Sequence, residues 1–145
     1  MKDCFVCDKH RGTVEVPGGP IVDDELVYVS HMWSSDSGVV YLGYLFLEPK
    51  RHVPGLADLT PEEGARIGEL TVRLSLALRE SEGAEHVYAA VIGHHVPHLH
   101  VHLAPRYPGT PEDYWWTRLL DWPDAPRGGA DAVASVGQRL REALG

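Results

Sequence analysis

An α+β layer fold is predicted by three features of this 145-residue sequence. Five short stretches rich in Val, Tyr, Leu and Ile have the length of strands, and two longer ones carry apolar residues at helical spacing. Only one connection between successive strands is long enough to hold a helix, so the others favour antiparallel pairing. Hydrophobic residues make up 43% of the chain and charged residues 23%, a balance that suits a packed core. Two domains of half this length would each bury too little, so residues 1–145 are expected to form one.

Strands are expected at residues 12–16, 25–32, 39–47, 87–93 and 97–104, where β-branched and aromatic residues concentrate. After the third, Thr60-Pro61-Glu62-Glu63 offers an N-cap hydroxyl, a proline in the first turn and a carboxylate that can reach back, which together start a helix. Ile67, Leu70, Leu74, Ala77 and Leu78 then share one face, while Arg66, Glu69, Arg73, Arg79 and Glu80 share the other, so this helix should lie against the sheet. A second amphipathic helix over residues 130–144 aligns Val133, Val136, Leu140 and Leu144. Pro- and Gly-rich stretches at 17–20, 105–111 and 123–129 read as loops, too short to be domain linkers.

Composition also excludes whole classes of function. The longest nearly apolar run, residues 39–47, is nine residues long, and a membrane-spanning helix needs about twenty. The opening MKDCFVCDKH lacks the apolar core of a secretion signal, so a cytoplasmic, reducing location without disulfides is expected. A net charge of -8 repels long nucleic acid. That sum counts nine histidines as neutral, and His94, His95, His98, His100 and His102 lie close together, so any anion site must be local.

In Pro97-His98-Leu99-His100-Val101-His102-Leu103-Ala104 polar and apolar residues alternate strictly. A strand with that period sends the three imidazoles to one face, about 7 Å apart, and the aliphatics to the other. Such a row is suited either to a metal or to an anion site in which one imidazole is a nucleophile. No acid follows His102 before Glu112, which weakens an oxygenase-type metal site. Cys4-Phe5-Val6-Cys7 has the spacing for two thiolates to share one zinc, which needs two further ligands. Free thiols, or a site that uses His10, are the alternatives.

The run from His98 to Ala104 resembles the His-φ-His-φ-His-φ-φ signature of the histidine triad (HIT) nucleotide hydrolases and transferases. Gly93, Ala104-Pro105-Arg106 and the strand ending Glu48-Pro49-Lys50-Arg51-His52 are similar to the same family. The resemblance spans residues 4–106 and leaves 107–145 as a divergent tail. It implies a HIT-like five-stranded antiparallel sheet with two main helices, in a homodimer that acts on a nucleotide or nucleotide conjugate. It also implies that His100 attacks the α-phosphate of a phosphoanhydride, phosphoramidate or dinucleoside polyphosphate, forming a nucleotidyl-histidine without a catalytic metal. For this His100 must be neutral, with its inner nitrogen donating to a backbone carbonyl. His102 would bind and stabilise the phosphoryl oxygens. Where the family usually has Gln then Ser or Thr, this chain has His94 and His95; His95 could act as general acid and His94 as a substrate contact. Tyr44 stands where a histidine is common, and no ribose-binding Asp is evident in residues 28–32.

The resemblance further implies that Cys4, Cys7, His52 and His98 hold a structural zinc, as in the zinc-bearing branch of the family. Residues 114–122 contain three tryptophans, read first as core; family members whose C-terminal segments approach the partner's active site imply a second role in leaving-group selection. Two rival functions are carried forward: a non-catalytic nucleotide- or zinc-binding regulator, and a nucleotidyltransferase to a sugar-phosphate acceptor.

Overall fold

The computed structural model describes residues 4–145, and positions 1–3 of the expected domain lie outside the described residues. In chain order the elements are α1 (Phe5–His10), β1 (Val22–Asp23), β2 (Val27–His31), β3 (Val40–Tyr41), β4 (Leu45–Pro49), α2 (Pro61–Glu82), β5 (His86–Ala90), β6 (Val101–Arg106), β7 (Arg127–Gly128) and α3 (Ala130–Leu144). Five strands form an antiparallel sheet in the order β1-β2-β4-β6-β5, and β3 pairs with β7 in a separate two-stranded sheet. The architecture is α+β, as the sequence predicts.

Alternation along the strands separates two faces. Leu45 and Leu47 of β4 and Val101 and Leu103 of β6 are buried against Leu70, Leu74 and Leu78 of α2 and Val136 and Leu140 of α3. The opposite face carries Phe46, paired in register with His102, and leaves the imidazoles clear of the main core. The start of α2 is set by its capping box, with Glu63 N–H donating to Thr60 Oγ1 at 3.1 Å and Thr60 N–H to Glu63 Oε1 at 2.8 Å. It ends at Gly83, whose φ of 77° is left-handed. Among the described residues no helix is long and apolar enough to cross a membrane.

Three strand expectations are corrected. Residues 12–16 are irregular, because the N–H groups of Gly12 and Thr13 turn back onto the carbonyls of Lys9 and Asp8 at the end of α1 and are unavailable to a ladder. The outer strand next to β2 is β1 instead. Residues 39–47 divide into β3 and β4 at Gly43, whose φ of 88° favours glycine and where a Cβ would collide with the Tyr107 hydroxyl and the Pro105 ring. The histidine strand starts at Val101 and not at Pro97, since Leu99 N–H is taken by Val53 O at 2.7 Å, outside the ladder. The helix α1 was not anticipated. The tryptophan tract is core only in part: Trp115 and Trp116 are 37% and 48% exposed, whereas Leu119 is buried in a 3-10 turn over Trp116–Asp121 and Trp122 packs against its cluster.

Candidate active site and metal site

His100 and His102 point from β6 and its approach onto the face away from α2 and α3, their ring centroids 4.9 Å apart and both packed edge-on to Phe46 at 5.7 and 5.0 Å. His100 Nδ1 donates to the carbonyl of His98 at 2.8 Å. A carbonyl only accepts, so the ring proton sits on Nδ1 and the lone pair is on Nε2. His102 is arranged the other way round. Its Nδ1 faces the Tyr44 hydroxyl at 2.8 Å. Burial raises the Tyr44 phenol, and burial together with neighbouring His100 lowers His102, so the phenol stays protonated and the imidazole neutral. A phenol can donate or accept; where Tyr44 donates to Nδ1, the proton of His102 lies on Nε2, a buried atom with no protein partner among the described residues. The pair offers one nucleophilic nitrogen beside one donor N–H.

Behind His100, four ligand atoms from Cys4, Cys7, His52 and His98 lie within 4.8 Å of one another. His98 Nδ1 is 3.6 Å from Cys4 Sγ and 3.5 Å from Cys7 Sγ, and His52 Nδ1 is 3.5 Å from Cys7 Sγ. Donors about 2.0–2.3 Å from a common ion stand roughly 3.3–3.8 Å apart at the tetrahedral angle, so the spacing fits a metal. The tautomer fits as well. His98 Nε2 donates to Pro49 O at 2.8 Å, which leaves Nδ1 as the ligand atom, and burial lowers His98 so that it stays neutral. His10 is outside the group: its Nε2 meets Glu48 Oε2 at 2.9 Å, so the choice between His10 and His52 falls to His52. Because the same His98 supplies the carbonyl that orients His100, the cysteine cluster and the His100 ring share one residue.

A family model described as the HIT domain matches residues 13–109, more than half of the chain. This protein belongs to the HIT family. A zinc-bound histidine triad family protein from Mycobacterium smegmatis is 25% identical, with a TM-score of 0.71 over 98% of this chain and 93% of that one. Two further structures share the fold. A HIT-like protein involved in cell-cycle regulation from Bartonella henselae is 15% identical, with a TM-score of 0.74 over 99% and 97%. A hypothetical histidine triad nucleotide-binding protein from Sulfolobus tokodaii is 18% identical, with a TM-score of 0.74 over 97% and 91%.

On this HIT domain His94 and His95 are exposed in the loop before His98, with ring centroids 6.2 Å apart. No hydrogen bond among the described residues joins them to His100 or His102. The basic residues at the strand ends, Arg106 and Lys50, meet protein partners: Arg106 bonds the Tyr88 hydroxyl at 2.8 Å, and Lys50 pairs with Asp23. Sequence reasoning gave Glu48 no role and passed over Lys9. Both are buried, with Lys9 Nζ 2.6 Å from Glu48 Oε1. Burial alone would raise Glu48, but the bond from His10 and the charge and bond of Lys9 reverse this and hold the carboxyl below its ordinary value. The pair lines a cavity of about 140 Å³ together with Phe5, Phe46 and His100. A basic residue five positions after Cys4 was the available signal, invisible until α1 is known to fold over β4.

Proposed function

We propose that this HIT protein is a nucleotide hydrolase or nucleotidyltransferase that works through a covalent intermediate on His100. The observation that carries this reading is the bond from His100 Nδ1 to the His98 carbonyl, which leaves Nε2 unprotonated and free to attack phosphorus. Part of the nucleoside enters the cavity of about 140 Å³ between Phe5 and Phe46, beside His100. With Tyr44 donating to its Nδ1, His102 presents an Nε2–H that has no partner among the described residues and that hydrogen-bonds a non-bridging oxygen as charge builds there. His94 touches the phosphate-bearing end of the substrate and His95 protonates the leaving atom, both from the exposed loop. Water then cleaves the N–P bond and releases the nucleoside monophosphate. Loss of turnover in His100→Ala, in a protein that melts like wild type, is the expected result; retained turnover contradicts the reading and favours a binding module.

The Cys4, Cys7, His52 and His98 group holds zinc, which supplies a structural clamp and leaves the chemistry to the imidazoles. Zinc is expected to raise the melting temperature of metal-free protein, and Cys7→Ala to abolish that rise while His10→Ala retains it. A rise that survives Cys7→Ala contradicts the site. The functional unit is a homodimer joined along β5, one of the two edge strands of the sheet, and α2, which exposes Val72 and Leu76 beside it. A monomer mass by light scattering at micromolar concentration would sink that assignment.

A further inference from the structure

The cavity beside His100 is lined mostly by aromatic and aliphatic side chains, yet a charged pair is built into its wall. Lys9 and Glu48 stand there with Phe5, Val6, Phe46 and Val96. Neither member of the pair reaches bulk water: Lys9 is 6% exposed and Glu48 1%. Both carboxylate oxygens are engaged, Oε1 by Lys9 Nζ at 2.6 Å and Oε2 by His10 Nε2 at 2.9 Å. The ammonium has donors to spare. Of its three N–H bonds one goes to Glu48, and the other two have no partner among the described residues. Nζ stands 5.4 Å from the centroid of the Phe46 ring, itself part of the wall.

An adjoining cavity of about 30 Å³ shares Phe5, Lys9 and Phe46 and adds Trp33, whose Nε1–H is buried without a partner among the described residues. The buried polar atoms left unpaired around the two cavities are thus donors. Buried donors call for acceptors, and one ammonium with two free N–H bonds suits two acceptors set side by side. Among nucleobases a 6-oxopurine offers that pair on one edge, O6 beside N7. Adenine presents N7 beside its 6-amino group, which turns a donor toward the cation, and the pyrimidines present no such pair of acceptors on the matching edge.

We propose that Lys9 reads the base of the nucleotide by donating to O6 and N7 of a 6-oxopurine, so that guanine and hypoxanthine nucleotides are preferred to adenine ones. This rests on the hydrolase reading above and narrows its substrate class. The base enters between Phe5 and Phe46, whose rings meet its faces, and its edge meets Nζ. Holding Glu48 and reading the base use different N–H bonds of one ammonium, so the ion pair persists when the base binds. Lys9 sets specificity and takes no part in making or breaking bonds at phosphorus.

The test compares kcat/KM for the 5′-phosphoramidates of guanosine, inosine, 7-deazaguanosine and adenosine, all with the same amine as leaving group so that only the base differs. Wild type is expected to favour guanosine and inosine over adenosine by on the order of tenfold or more. The 7-deazaguanosine compound, which keeps O6 and lacks N7, should fall between them. In the double variant Lys9→Met with Glu48→Leu, which removes the pair without stranding a carboxylate, the guanosine-to-adenosine ratio should drop towards one. Should that variant fail to fold, the wild-type comparison of guanosine with 7-deazaguanosine carries the test. Equal or faster turnover of adenosine, 7-deazaguanosine as fast as guanosine, or a ratio untouched by the double replacement overturns the Lys9 assignment while leaving the hydrolase reading intact. No turnover of any donor and no labelling of His100 overturns the hydrolase reading. Calorimetric affinities of GMP and AMP for His100→Ala then judge Lys9 without turnover: tighter GMP upholds base reading, and equal affinities overturn it.

Discussion

His100 and His102 sit two residues apart, yet their inner nitrogens meet different partners. A carbonyl, which only accepts, holds a proton on the inner nitrogen of His100, whereas the Tyr44 phenol, when it donates, leaves the proton of His102 on the outer one. Tyr44→Phe removes the second constraint without removing the ring packed on Phe46. It should lower kcat by about tenfold, equivalent to about 1.4 kcal/mol, with KM little changed, because the donor it aligns acts on charge that develops in the transition state. Unchanged kcat in steady-state assays would show that His102 needs no such alignment. A third histidine has a purely structural task. His31 is buried, its Nδ1 donating to Met32 O at 2.7 Å and its Nε2 accepting from Gly43 N–H at 2.8 Å, and burial holds its pKa below the ordinary value. The unfolded chain takes up a proton near pH 6.5, which the folded chain resists. Stability should therefore fall as pH drops below about 6.5 and level off once pH passes the lowered native value. Urea unfolding from pH 8 to pH 5 should show a shallower decline in His31→Gln than in wild type; parallel curves would contradict this account.

Among the elements, α1 shows why some of the architecture could be read directly and some could not. The helix α2 was legible because its signals are local, namely the Thr60 cap, Pro61 and a stripe of five apolar residues. By contrast α1 has six residues, too few for a periodic pattern, and its N-cap is Cys4, whose Sγ accepts from Cys7 N–H at 3.4 Å. What holds α1 is tertiary: the cysteine and histidine cluster at one end and the buried Lys9–Glu48–His10 group at the other. Replacing Lys9 by Ala strands the Glu48 carboxylate, which is 1% exposed. Removing one member of a buried pair costs about 3–5 kcal/mol, and His10 offsets part of it, so a loss of about 3 kcal/mol is expected in urea unfolding. The double replacement Lys9→Met with Glu48→Leu should lose much less. Equal losses would show that the charge pair is not what anchors α1. The misplaced strand at 12–16 has the same origin, since the turn closing α1 takes the backbone groups that the strand would have needed.

Over the whole molecule, one sheet divides stability from chemistry, with α2 and α3 packed on one face and the triad on the other. That division was legible, because a period of two in residues 97–104 assigns each side chain a face before any packing is known. The alternation did not assign the histidines their roles, since a row of imidazoles suits a metal or an anion site equally; those came from the likeness to the HIT signature. The Lys9–Glu48 pair and the task of His31 were not legible, because each gathers residues from segments far apart in sequence, which only the completed fold brings together. Catalysis as proposed turns on one bond, that between His100 Nε2 and phosphorus. Intact-mass analysis of protein quenched during turnover of several nucleotide donors tests it most directly. The expected result is a single added nucleoside monophosphoryl group, localised to His100 by peptide mapping and lost in His100→Ala. No adduct with any donor that the enzyme consumes, or an adduct that persists in His100→Ala, would contradict it.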